Sequence, residues 1–245
     1  VVFKYEETTL STQTVKSGEF ATLPEPTTTA YKVFNGWKVN GITVNVEEYR
    51  ITADTVFVAD ITYKFDVKFI ADGATHDTQI VEKNGKPAVP ENPTKQNYTF
   101  VGWSLNGTNP VSVADTVITE NTTFTAIFKI NEYTVKFKDG TAILSEQQIQ
   151  HGGYATAPEN PTKENHTFAG WSLNGTDTVN VADTAITENT TFTAVFKINE
   201  YTVTFKDGNT QLSAQQVEHG KFASVPEPPT KGGYTFAGWS VDGTT

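Results

Sequence analysis

The sequence predicts a mainly β protein, on the border of the α+β class, built from tandem copies of one small domain. Four tryptophans recur at nearly equal intervals, and each follows a glycine in a phrase such as Phe-Ala-Gly-Trp-Ser: Trp37, Trp103, Trp171 and Trp239. A fixed period of this kind indicates a repeated structural unit. Short runs of Thr, Val, Phe and Tyr favour strands, and the long apolar period of a helix is absent. We expect an elongated array of such units.

The tryptophan spacing also sets the expected domain boundaries. They are residues 1–63 for repeat 1, 64–131 for repeat 2, 132–199 for repeat 3 and 200–245 for repeat 4. Repeat 4 stops at Thr245, shortly after Trp239, whereas repeat 3 continues well beyond its tryptophan, through Phe196. We therefore expect repeat 4 to lack the last strand of the unit. It is either completed by further sequence or marginally stable.

The first strand of each repeat is predicted to be half-buried. Residues 133–137, Tyr-Thr-Val-Lys-Phe, alternate apolar and polar side chains, as a strand with one buried face requires. A phenylalanine ends this strand at one constant offset before each tryptophan: Phe3, Phe69, Phe137 and Phe205. We predict that these phenylalanines and the four tryptophans form structural cores rather than binding sites, because large aromatic side chains supply most of the apolar area of a small domain. Asp-Gly pairs predict the hairpin turn that follows.

The second strand carries two apolar positions at an odd separation, such as Leu144 and Ile149. An odd separation places them on opposite faces of an ideal strand, so we expect a bulge between them. The strand should end at a residue that tolerates positive φ, which is in turn Gly18, Asn84, Gly152 and Gly220.

A connector with two prolines comes next, and it excludes a helix or a central strand. The tryptophan phrase forms the third strand, and three pairs predict the turn after it: Asn106-Gly107, Asn174-Gly175 and Asp242-Gly243. One helical turn is expected around residues 182–184, followed by a last strand at residues 191–196. Only residues 197–200 then lead into the next repeat, so neighbouring repeats should make end-to-end contacts at a preferred angle.

Composition excludes several classes of function. The formal net charge is −10, from 28 acidic against 18 basic residues, and the lysines are scattered, so we expect no nucleic-acid partner. Cysteine is absent, which excludes disulfide and thiol chemistry. We expect no membrane insertion by this fragment, and its opening without methionine indicates a piece of a longer protein.

We predict no catalytic, cofactor or metal site. His151 and His219 share one position, but no second histidine or carboxylate recurs at a ligand spacing, and zinc needs three or four protein ligands. Aspartates such as Asp115, Asp139, Asp183 and Asp207 lack the regular spacing of a calcium loop. No Ser, His and Asp set recurs, so enzyme activity is not expected.

A longer phrase connects the chain with a known family. It comprises Tyr-Thr-Val-Thr-Phe-Lys-Asp-Gly at 201–208, His-Gly-Lys at 219–221 and Pro-Glu-Pro-Pro-Thr-Lys-Gly-Gly-Tyr-Thr-Phe-Ala-Gly-Trp at 226–239. The phrase resembles the internalin B-repeat family, also called the Listeria-Bacteroides repeat. Repeat 1 departs at residues 27–30, Thr-Thr-Thr-Ala, which lack the usual Lys and Gly. The resemblance implies a β-grasp type of domain, found in bacterial surface proteins and phage structural proteins, that serves as a spacer or adhesion module.

Three functions remain open at this point. The first is a non-enzymatic, extracellular stalk or adhesion segment, attached to a bacterial cell surface through parts outside this fragment. The second is a binding module whose repeated turns or aromatic side chains recognise a glycan or a host or cell-surface protein. The third is a structural repeat of a phage tail or fibre. Tryptophan accessibility separates the first two, because shielded indoles indicate cores and exposed indoles favour a binding surface.

Overall fold

The computed structural model describes residues 1–241, so the predicted turn at Asp242-Gly243 lies outside the described residues. Its elements are β-strands joined by turns, connectors and three single-turn 3₁₀ helices. The chain divides into two compact units, residues 1–130 and 131–245. The first unit contains repeats 1 and 2, and the second contains repeats 3 and 4.

Repeat 1 is a mixed sheet with a parallel pair at its centre. Its strands are β1 (Val2–Tyr5), β2 (Thr8–Thr12), β3 (Lys32–Val39), β4 (Ile42–Val44) and β5 (Val56–Ala71), in the order β2-β1-β5-β3-β4. β5 runs parallel to β1, with Phe57 opposite Phe3, and antiparallel to β3. The first and last strands of the repeat are therefore neighbours.

Repeat 2 begins on the same strand that ends repeat 1. Residues 64–71 of β5 pair antiparallel with β6 (Ala74–Glu82). Val67–Ile70 of β5 also pair in parallel with β8 (Thr122–Ile130). On its other side, β8 pairs antiparallel with β7 (Tyr98–Ser104). The boundary predicted at residues 63 and 64 falls inside this 16-residue strand. The short link expected between repeats is absent here, because the strand continues without interruption.

Repeat 3 repeats the arrangement in the second unit. Its strands are β9 (Glu132–Asp139), β10 (Ala142–Gln150), β11 (His166–Ser172), β12 (Thr178–Val179) and β13 (Thr190–Ile198), in the order β10-β9-β13-β11-β12. Repeat 4 contributes β14 (Glu200–Asp207) and β15 (Thr210–Glu218), which form a two-stranded sheet. β13 is longer than the predicted 191–196, so Asn199 alone separates it from β14.

Local backbone features follow the sequence closely. A bulge is present in each first hairpin, but it lies at the first of the two apolar positions rather than between them, since the register skips Leu10, His76, Leu144 and Leu212. The residues predicted to end the second strand have positive φ, from 65° at Asn84 to 86° at Gly18. The helical turn is a 3₁₀ helix at Val46–Glu48, Val113–Asp115 and Val181–Asp183, each with its first valine buried. These valines belong to the hydrophobic cores of their repeats.

Candidate functional site

The predicted aromatic residues pack together in the cores of repeats 1 to 3. Phe137 is fully buried, and its ring meets Trp171 edge-on at 4.9 Å and stacks on Phe192 at 5.1 Å. The same two contacts recur around Phe3 and Phe69. Trp37, Trp103 and Trp171 expose only 3–4% of their surface. These indoles therefore offer no face to a ligand in solution.

Repeat 4 carries the same phenylalanine and tryptophan in a more open setting. Phe205 meets Trp239 edge-on at 5.0 Å and 73°, which matches the geometry of the other repeats. Both side chains are nevertheless only partly buried. Among residues 200–241 no third ring stacks on Phe205 in the way that Phe192 stacks on Phe137.

The histidines and aspartates do not converge on a metal. In the described part of the chain, no group of three or more histidine, aspartate or glutamate side chains could hold an ion. His151 packs against Tyr133, and His219 packs against Tyr201, each with ring centroids 6.0 Å apart. His76 lies 2.8 Å from the carbonyl oxygen of Glu91. Each of these three histidines therefore contacts a residue of its own repeat.

In repeats 2 and 3, a buried serine forms hydrogen bonds to the turn that follows the third strand. The Ser172 hydroxyl donates to Asn174 Oδ1 at 2.9 Å and accepts from the Gly175 backbone N–H at 2.9 Å. Asn174 Oδ1 also accepts from the backbone N–H groups of Thr176 and Asp177. Ser104 and Asn106 repeat this network in repeat 2. Both serines are completely buried, so the turns are fixed parts of the fold.

A glutamine clamp, which the sequence alone did not reveal, holds the proline-bearing connector in every repeat. The Gln147 side chain donates from Nε2 to the Thr156 carbonyl at 2.6 Å and accepts at Oε1 from the Thr156 backbone N–H at 3.0 Å. The same pair of bonds is made by Gln13, Gln79 and Gln215. All four glutamines stand at one constant offset before a tryptophan, and that shared offset was the available signal.

Polar side chains tie repeat 1 to repeat 2 around the middle of β5. The Tyr31 hydroxyl contacts both Asp66 carboxylate oxygens, at 3.0 and 3.1 Å. Next to this contact but within repeat 1, Glu6 accepts hydrogen bonds from Lys32 at 2.7 Å and from the Tyr63 hydroxyl at 2.5 Å. The hydrogen bond from Lys32 lowers the pKa of the Glu6 carboxyl most, and the hydrogen bond from Tyr63 lowers it further. The hydrogen bond that Tyr63 donates to Glu6 raises the pKa of the Tyr63 hydroxyl.

Asn199 makes the corresponding connection between repeats 3 and 4. Its backbone N–H donates to the Asn165 carbonyl at 2.9 Å, and its Oδ1 accepts from the Thr167 hydroxyl at 2.8 Å. Its own carbonyl accepts from the His219 N–H at 2.8 Å. One residue thus bonds to both repeats. The sequence predicted the shortness of this connection but not these partners.

Within residues 1–241, no helix has the length and apolar character needed to span a bilayer.

Comparison with known proteins identifies the repeat. The model of the Listeria-Bacteroides repeat domain matches four segments: residues 1–62, 65–127, 133–195 and 201–245. A putative membrane protein of Evansella cellulosilytica is 35% identical over 159 residues, which is 62% of this chain and 24% of that protein. A putative Gly-rich membrane protein of the same organism is 30% identical over 185 residues, covering 73% of this chain and 21% of its own length.

A third relative is an internalin of Listeria monocytogenes. Internalin H of serovar 1/2a is 42% identical over 85 residues, which is 34% of this chain and 15% of that protein. The chain therefore matches less than a quarter of the length of each of these three relatives. Because the repeat model covers nearly the whole sequence in four consecutive segments, the chain belongs to the Listeria-Bacteroides repeat family.

Proposed function

We propose that this chain is a non-enzymatic, load-bearing spacer segment of an extracellular protein at a bacterial cell surface. The observation that carries the proposal is the parallel pairing of the first and last strands at the centre of each of repeats 1 to 3. The relatives named as membrane proteins and as an internalin support the location. We assign the segment the task of transmitting force between parts of a larger protein.

The parallel pair determines how tension acts on a repeat. In repeat 3 the chain enters at Glu132, the start of β9, and leaves at Ile198, the end of β13. The two strands point in the same direction, and Val135–Lys138 pair with Thr190–Thr193. Pulling on the two ends slides one strand along the other, so these hydrogen bonds are loaded together in shear. An antiparallel hairpin pulled at its open end breaks its bonds one after another instead.

The junction between repeats 1 and 2 supports the same function. A spacer must pass force from one domain to the next without a slack linker. β5 does so by serving as the last strand of repeat 1 and the first strand of repeat 2. The Tyr31–Asp66 contact holds the two repeats beside this shared strand.

The closed cores favour a spacer over a binding module that uses its aromatic side chains. Trp37, Trp103 and Trp171 are buried against phenylalanines. A recognition surface built from these indoles would need them exposed to the ligand.

Single-molecule stretching of the full chain tests the proposal. The chain contains no cysteine, so engineered cysteine pairs can serve as specific handles. One variant carries handles at Glu132 and Ile198, which load β9 and β13 in shear. The matched control carries them at Glu132 and Gln150, the adjacent ends of the antiparallel pair β9 and β10. We expect the first pair of handles to need a several-fold higher unfolding force. Equal forces in the two directions would contradict a load-bearing role.

A further inference from the structure

A cleft lies between repeats 1 and 2, beside the middle of the shared strand β5, and we call it the junction cleft. Repeat 1 contributes Tyr31 and Tyr63 to its lining, and repeat 2 contributes Lys64, Asp66 and Asn121. Both repeats belong to the compact unit of residues 1–130, so the cleft lies within one unit. Its volume is about 270 Å³, just below the range of about 300–1,000 Å³ that is typical of drug-sized ligands. The junction cleft therefore suits a smaller molecule.

The ring of Tyr31 is the aromatic surface that the cleft offers to a ligand. Tyr31 lies outside the core of repeat 1 and is 42% exposed, and its hydroxyl is held by both oxygens of Asp66. The ring of Tyr63 is less available, because the ammonium groups of Lys32 and Lys83 lie 5.5 and 5.7 Å from its centroid. Within residues 1–241, no cation lies over the ring of Tyr31 in this way. An exposed ring that is fixed at its polar end is prepared for stacking against the apolar face of a flat ligand.

Three polar groups beside this ring can still form hydrogen bonds with a ligand. The Tyr31 hydroxyl has a single hydrogen to donate, so the two oxygens of Asp66 can accept further bonds. Asn121 Oδ1 accepts from the Asp66 backbone N–H at 2.9 Å, which fixes the amide and leaves its Nδ2 group to act as a donor. Lys64 Nζ lies 3.7 Å from a Glu82 oxygen, which is beyond hydrogen-bond distance. The cleft therefore combines a strong acceptor with an amide donor and an ammonium donor.

The charges around the cleft favour a neutral ligand. Lys32 is paired with Glu6 at 2.7 Å and Lys64 with Glu82 at 3.7 Å, so each ammonium group already has a carboxylate partner. Asp66 adds a negative charge inside the cleft, and the whole chain carries a net charge of −10, so an anionic ligand is repelled. A cationic ligand has to approach both lysines. A neutral ring with several hydroxyl groups meets neither obstacle, because hydroxyl groups both donate and accept hydrogen bonds.

We propose that the junction cleft is a saccharide-binding site that holds one neutral pyranose ring of a glycan. The sugar stacks its C–H face on Tyr31, two of its hydroxyl groups bond to Asp66 and Asn121, and Lys64 donates to a third. Repeat 1 supplies the aromatic ring and repeat 2 supplies the polar groups, so the site requires the two repeats to be joined through β5. This recognition role is additional to the load-bearing role proposed above.

The combination of groups occurs once in the sequence. Tyr31 lies six residues before its tryptophan, and the equivalent residues of the later repeats are Asn97, Asn165 and Gly233. Asp66 lies three residues before Phe69, and its later equivalents are Thr134 and Thr202. The later repeats therefore lack both the stacking ring and the carboxylate, and we expect one saccharide to bind per chain.

An NMR titration of the full chain tests the proposal. The probes are three neutral disaccharides, cellobiose, maltose and N,N′-diacetylchitobiose, and digalacturonic acid is the anionic control. We expect at least one neutral disaccharide to bind saturably at millimolar concentration, with one-to-one stoichiometry and with shift changes centred on Tyr31, Lys64, Asp66 and Asn121. Digalacturonic acid should bind at least about tenfold more weakly, because the carboxylate of Asp66 repels it.

Two substitutions of Tyr31 separate stacking from support of the junction. Both Tyr31→Ala and Tyr31→Phe remove the hydroxyl that contacts Asp66, but only Tyr31→Phe keeps the ring. Tyr31→Ala should weaken binding at least about tenfold, whereas Tyr31→Phe should stay within about threefold of the parent chain. Tyr154→Ala is the matched control, because Tyr154 is a 57% exposed tyrosine in repeat 3, and it should leave binding unchanged.

Four results would overturn the proposal. They are the absence of binding by all three neutral disaccharides, shift changes that map outside the junction cleft, equal or tighter binding of digalacturonic acid, and equal losses in Tyr31→Ala and Tyr31→Phe. None of them bears on the force measurement on repeat 3, so the two proposals fail separately.

Discussion

Gln147 binds both backbone polar groups of Thr156 through its side-chain amide, at 2.6 and 3.0 Å. The connector that contains Thr156 has no strand or helix of its own. The glutamine therefore does for the connector what a neighbouring strand would do, since it satisfies one N–H and one C=O group. Its recurrence in four repeats indicates that the connector must be held in place for the hydrophobic side chain that precedes it, Ala155 in repeat 3, to enter the core.

We predict that Gln147→Ala destabilises repeat 3 by about 1–3 kcal/mol, because it removes two hydrogen bonds that hold the connector. Native-state hydrogen exchange at Thr156 and neighbouring amides measures the loss. Gln148→Ala is the matched control, since Gln148 makes one exposed bond, to the Thr134 hydroxyl. A control that destabilises the repeat equally would contradict the clamp.

Trp239 should dominate quenching of tryptophan fluorescence by acrylamide in the folded chain. Trp37, Trp103 and Trp171 are buried, whereas Trp239 is only partly covered. A neutral quencher avoids repulsion by the net charge of −10. Trp239→Phe should remove most of the readily quenched emission, and Trp103→Phe should remove little of it. The reverse order would show that the complete repeats expose their indoles.

The Glu6 carboxyl should titrate below its ordinary pKa of 4.5, because hydrogen bonds from Lys32 and Tyr63 favour its charged form. A depressed folded pKa means that its contribution to stability is present above the unfolded pKa and is lost as the pH falls through the folded value. NMR titration of the Glu6 side chain measures the pKa directly. Lys32→Ala should raise it towards the ordinary value, and an unchanged pKa in that variant would contradict the assigned cause.

An insertion of Gly-Ser-Gly-Ser between Thr62 and Tyr63 should uncouple repeats 1 and 2. The insertion breaks β5 between its pairing with β1 and its pairing with β6. NMR relaxation should then give different rotational correlation times for the two repeats, whereas the parent chain gives one value for both. The same insertion after Gly73, in an exposed hairpin turn, is the control and should preserve common tumbling. Common tumbling in the β5 insertion would show that the shared strand does not couple the repeats.

Much of the fold could be predicted because the four repeats can be aligned with one another, which shows the residue types that each position requires. The strands follow from the alternation of apolar and polar residues. The odd separation between Leu144 and Ile149 predicts a bulge in the second strand, and the glycine at position 152 predicts a positive φ there. The bounds of the last strand could not be predicted, because Lys197 and Ile198 join β13 through pairing with distant β11. Pairing with a strand that is distant in the sequence cannot be predicted from the local pattern of residues.

The candidate sites were less predictable for a related reason. The glutamine clamp depends on a contact between residues nine positions apart across a turn, and a lone glutamine carries no local signal of that contact. The aromatic residues were assigned to cores by the large apolar area of their side chains, and the structure shows which rings contact one another. It also shows that Phe205 meets Trp239 edge-on, as the equivalent phenylalanines meet their tryptophans.

The shared strand β5 restricts how a chain of this kind can change in length. Phe57 and Phe69 are buried in the cores of successive repeats, and an even number of steps separates them along one strand. Because side chains alternate between faces, a single inserted residue between them would turn one core towards solvent. Insertions within β5 between these two phenylalanines are therefore tolerated only in even numbers of residues, so the shared strand restricts the changes in length that this junction accepts.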